Sequence, residues 1–147
     1  IPPTMSKIVP LISSGTKGPL GVLHLPRLWL KASLEKAGKI ADGYPGCGQG
    51  YDQMVLDGLG LDRDAFLAFI ATQPTYIQCE EWVSQNGTKV NDEAIHELNA
   101  AITGYIHTDE TRQEILGTAG LPDGDPRDAI NLNNLDDWDE FHAAELK

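Results

Sequence analysis

Helix-ending residues punctuate this chain at Gly38, at Gly58 with Gly60, at Pro74, at Gly87 and at Gly120 with Pro122. Glycine supplies the left-handed residue that follows a last helical turn, and proline pushes the residue before it out of helical geometry. The segments between these stops carry apolar residues at helical spacing, not in alternation. No hairpin signal separates two candidate strands, and no strand–helix alternation appears. The expected fold is therefore all-α: a compact bundle of five to six short helices with a glycine-rich loop and an acidic C-terminal extension.

The start signals agree with the stops. Pro26 suits the first turn of a helix over residues 26–37, because its missing N–H would be unpaired there anyway, and Lys36 and Lys39 suit the negative end of that helix. Leu20 to Leu25 is a short apolar run that fits either a strand or a buried segment leading into the helix. Residues 42–50 hold too many glycines for regular structure, and a short helix over 51–57 follows. Asp62 caps a helix over 63–73, and Thr75 with Gln78 forms a capping box for one over 76–86. Asn91 opens the clearest amphipathic stripe, Ile95, Leu98, Ile102, Tyr105 and Ile106. Asn99 is the polar residue inside that stripe. If buried it needs a backbone partner from a neighbouring segment, such as the glycine-rich loop. Thr108 caps a further helix to residue 119. Past Pro122, the residues Leu135, Trp138, Phe141 and His142 are compatible with one short docking helix. The chain thus divides into a helical core domain, 5–121, and an acidic segment, 122–147.

With 147 residues, 41% of them hydrophobic, one domain has material for a core. Met5-Ser6-Lys7 reads as a native start, with residues 1–4 added in front of it. Two cysteines, Cys47 and Cys79, make no disulfide framework, no apolar run is long enough for a membrane span, and no signal-peptide pattern opens the chain. A cytoplasmic location with reduced thiols follows as the expectation. The net charge of −11 is unevenly placed: residues 1–79 carry seven basic and six acidic side chains, whereas residues 80–147 carry four basic and sixteen acidic. Such a field repels phosphate backbones, which argues against a nucleic-acid partner and leaves a basic protein as the partner the acidic segment would suit.

Few residues suggest chemistry. The loop from Gly43 to Gly50 precedes a helix, so its N–H groups can face an anion. It lacks the third glycine of a dinucleotide loop, because Tyr51 stands there, and it has no Gly-Lys-Ser/Thr. Cys47 within it is a nucleophile only if a neighbour lowers its pKa. Arg27 and Lys31 lie four apart on one helix face with Glu35, among apolar residues that would half-bury them. His24 precedes Pro26, so its direction is not fixed by that spacing. The four histidines show no pairing at three or four residues. Arg127 and Asp128 spoil the calcium-loop pattern begun at Asp123, so neither metal nor cofactor is expected. Ser13, Ser14, Ser33 and Ser84 lie in no nucleophile-elbow pattern.

The order Leu25-Pro26-Arg27 with Lys31, then Gly38-Lys39, Tyr44, Cys47, Phe66 to Ile70 and Glu81-Trp82-Val83 resembles a bacterial family of about this length, the domain of unknown function DUF5069. The resemblance covers most of residues 18–106 and makes the segment from Pro122 look like an addition. The family pattern has an acidic residue just before the lysine, where this chain has Leu30. The resemblance implies a domain and carries no activity.

The leading functional expectation is a small anionic ligand held between the Cys47 loop and the Arg27/Lys31 face, backed by Trp29, Tyr44 and Tyr51. Two alternatives stand beside it. One is an enzyme of small-molecule metabolism using Cys47 or His24; the other is a non-catalytic module whose acidic tail docks a basic partner.

Overall fold

The computed structural model describes residues 7–147; the start reading at Met5 falls outside them apart from Lys7. The described residues form seven α-helices and no strand: α1 Leu25–Lys36, α2 Tyr51–Leu59, α3 Arg63–Ile70, α4 Tyr76–Asn86, α5 Asp92–Gly104, α6 Asp109–Thr118 and α7 Ala129–Phe141. The all-α reading holds. The count exceeds the expected five to six because the acidic segment contributes a full helix, α7, whose first turn is capped by the Asp128 side chain on the Asn131 N–H. A π-helical turn, His142–Leu146, continues it. Among the described residues no helix is long and apolar enough to cross a membrane.

The caps explain where the helices start. The carboxylate of Asp62, the Asn91 side chain and the Thr108 hydroxyl each accept from a backbone N–H three residues on, and Thr75 with Gln78 completes both halves of a capping box. Two ends differ from expectation. Helix α3 stops at Ile70, not at residue 73, because Gln73 before Pro74 takes a left-handed φ of 63°. Helix α5 stops at Gly104, so the stripe loses its last two members. Tyr105 turns extended, and Ile106 lies 63% exposed in an isolated bridge to Asp128.

Helix α1 lies against α2, α3 and α4; α2 packs on α5, and α7 on α5 and α6. Leu25, Leu28 and Ala32 of α1 meet Val55, Leu56 and Leu59 of α2, Phe66 and Ile70 of α3, Cys79 and Val83 of α4 and Leu98 and Ile102 of α5. Ala129 at the start of α7 belongs to the same cluster. The run before α1 is neither strand nor helix; it is a turned segment, with Gly21 at φ 86° and Val22 buried. Asn99 anchors this segment: its Nδ2 donates to the Gly21 carbonyl (2.7 Å) and its Oδ1 accepts from the Leu23 N–H (3.0 Å). Its partner is thus residues 21–23 and not the glycine-rich loop.

Candidate functional site

The spacing of Arg27, Lys31 and Glu35 on α1 sets three polar side chains on one face, and the 43–50 loop folds back over it. Glu35 accepts from the Gly46 N–H (2.9 Å). Lys31 Nζ donates to Asp52 Oδ2 (2.7 Å), which also accepts from the Gly48 N–H (2.7 Å). From the far side Arg63 donates to the carbonyls of Cys47 (2.8 Å) and Gly48 (2.5 Å). The glycine-rich stretch is irregular, as its composition implies, and these hydrogen bonds pin it.

Between loop and helix lies a cavity of about 340 Å³, lined by His24, Arg27 and Lys31, by the loop with Tyr44, by Tyr51 and Asp52 of α2, by Tyr105 and His107, and by Ala129, Asn133, Asp136 and Glu140 of α7. Arg27, Lys31, Tyr44, Tyr51 and His24 therefore come together. Trp29 does not: its Nε1 donates to the Pro74 carbonyl (3.0 Å) and its ring meets Tyr76 edge-on, away from the cavity. Cys47 is half-buried and its side chain is absent from the cavity wall.

Neither basic residue is free. Arg27 is 5% exposed and makes a two-pronged pair with Asp137, at 2.6 and 3.0 Å, while its Nη1 also donates to the carbonyls of Pro10 and Ile12. Asp137 Oδ1 accepts from the Tyr44 hydroxyl as well (3.0 Å). A buried guanidinium needs such a partner, since the cost of stripping its water is recovered only by charge and hydrogen bonding together. Lys31 is matched in the same way by Asp52. Burial alone would raise the Asp52 carboxyl, but the hydrogen bond from His24 and the charge of Lys31 outweigh it and hold the group well below the usual carboxylate range. The pairing removes the unmatched cationic face on which the anion expectation rests.

His24 caps α1 in a left-handed conformation, φ 70°. That geometry costs a residue with a Cβ about 1 kcal/mol, and both ring nitrogens hold it in place. Nε2 donates to Asp52 Oδ1 (2.6 Å), so in the neutral ring Nδ1 accepts from the Ser14 hydroxyl (2.9 Å). Burial lowers the His24 pKa against the opposing pull of Asp52, which keeps the ring neutral. Ser14, His24 and Asp52 are thus connected as in a hydrolytic triad, an arrangement no local pattern revealed. Ser14, however, is 1% exposed, so its hydroxyl is closed off behind the ring of His24 and does not face the cavity described above. Cys47 is no readier as a nucleophile: burial first, and the Asp52 carboxylate next, push its thiol up.

A model of the family described as Domain of unknown function (DUF5069) matches residues 13–141. The chain belongs to the DUF5069 family. None of the curated proteins compared with it matches. The match begins just before Ser14 and ends at the last residue of α7, so it reaches well past residues 18–106 and takes in the acidic helix that sequence alone sets apart as an addition. In this DUF5069 domain that helix supplies the buried partner of Arg27. Asp52, Asp136, Asp137, Glu140, Tyr105 and His107 are the site residues that sequence reasoning missed. The one signal for Asp52 was its place in the first turn of the helix that the glycine-rich loop leads into. The α7 residues carried none, because a run of carboxylates normally reads as a solvated face.

Proposed function

We propose that this DUF5069 domain binds a small polar molecule in the cavity between the 43–50 loop and the α1 face, and does so without covalent chemistry from Cys47 or His24. The observation that carries the reading is the cavity itself. Its volume falls in the range of small-molecule sites, and hydrogen bonds at Gly46, Gly48, Cys47 and Tyr44 hold its walls in place. A preformed hollow spends little binding free energy on ordering its walls. The non-covalent part rests on the engaged state of the reactive groups, since both His24 nitrogens have protein partners.

Gly50 offers a direct test. It lines the cavity, and nothing lies within 4 Å of where a Cβ would stand. Gly50→Phe should fill the mouth of the hollow and leave the protein folded, read as a cooperative melting transition. Amide chemical shifts recorded against a panel of small amines, amino acids, carboxylates and phosphates should move at residues 43–52 in the parent protein and stay still in the variant. A panel that moves residues elsewhere, or moves them equally in both proteins, would sink the reading.

A further inference from the structure

We propose that the molecule held in this cavity is a small organic cation, whose ammonium group lodges between the α7 carboxylates and a wall of tyrosine rings. This rests on the reading of the cavity as a binding site and adds the chemical class of its occupant.

The charge balance of the walls points this way. Arg27 and Lys31 are each matched by a carboxylate at 2.6 and 2.7 Å. Asp42, Asp136 and Glu140 also line the cavity, and among the described residues none of the three has an ionic partner. Asp136 and Glu140 stand four apart on α7, so the two carboxylates share a face, where like charges repel. Asp42 and Glu140 are exposed and Asp136 is half-buried, so an anion entering would meet this excess most strongly at Asp136, whereas a cation would relieve it. Burial, followed by the neighbouring Asp137, Glu140 and Asp139 carboxylates, raises Asp136 above its ordinary range against the opposing pull of Arg27.

The aromatic lining suits an ammonium and not a bare metal ion. The rings of Tyr51 and Tyr105 lie 5.4 Å apart, tilted by 60°, and His107 stands edge-on to Tyr105 at 6.0 Å, so the lining rings face in several directions. Ring faces attract alkylated ammonium groups, which shed water readily. Metal ions instead need several converging oxygen or nitrogen ligands, and among the described residues no group of three His, Cys, Asp or Glu side chains is placed to supply them.

The experiment is an NMR titration of the full chain with choline, putrescine, acetate, inorganic phosphate and magnesium chloride at fixed ionic strength. Choline or putrescine should shift Tyr44, Tyr105 and the Asp136 region and bind at least tenfold more tightly than acetate or phosphate. Asp136→Asn and Glu140→Gln should each weaken the cation about tenfold, while their melting temperatures stay level or rise because a repulsion is removed. A folding defect would lower them instead. Tighter binding of acetate, phosphate or magnesium at the same residues would overturn the cation and leave the binding site standing. Cation binding indifferent to both variants would overturn it too. Shifts at none of the cavity residues with any probe would remove both the cation and the site.

Discussion

Arg27 and Asp137 stand 110 residues apart in the chain and meet as a buried, two-pronged ion pair. Removing one member strands the other charge away from water. Asp137→Asn should therefore lower unfolding stability by about 3–5 kcal/mol in a urea titration. The double substitution Arg27→Met with Asp137→Leu should cost less than Asp137→Asn, since it strands no charge, although the carbonyls of Pro10 and Ile12 and the Tyr44 hydroxyl still lose their partners. Equal losses in the single and double variants would show that the stranded charge is not the main cost. At this scale the sequence disclosed one side of each interaction only. The four-residue steps from Arg27 to Lys31 to Glu35 are local and readable. Their partners Asp137, Asp52 and Gly46 are fixed by how helices pack, which no spacing encodes. Trp29 misled because helical position places a ring on a face without saying which neighbour will cover it.

Among elements, the starts of helices were the most legible part, because capping is a contact within four residues. Thr75 with Gln78, Asp62, Asn91 and Thr108 all act as their sequence suggests. The 43–50 loop was legible as irregular, but not as held. Its anchoring to α1 makes Gly46 a sensitive position: a Cβ there would stand 2.6 Å from the Cβ and 2.5 Å from the Cδ of Glu35. The Glu35 Cβ is fixed to the helix, so the loop itself has to yield. Gly46→Ala should cost about 1–3 kcal/mol, whereas Gly50→Ala, with open space around it, should cost less, about 1 kcal/mol or under. Matched losses at the two positions, read from urea midpoints, would mean the loop is not anchored through Glu35.

For the whole molecule, acid is the condition to which this arrangement is most exposed. His24 has its pKa lowered from 6.5 by burial, so below that value the unfolded chain takes up a proton that the fold resists. Asp52 is held low, so its contribution persists above the unfolded carboxylate range and is lost as pH falls through it. Asp136 is raised and works in the opposite sense, its repulsions easing on protonation. Urea midpoints should decline from about pH 6.5 downward and more steeply below about pH 4, and a flat profile from pH 8 to 4 would contradict this account. The Arg27–Asp137 pair also has a consequence for synthesis. At ordinary translation speeds, roughly 5–20 s separate the making of residue 27 from that of residue 137. Through that interval the nascent chain carries its guanidinium without the counter-charge that will seat it. Helix α1 is thus made well before α7, and its final seating waits for that later helix to emerge and fold against it.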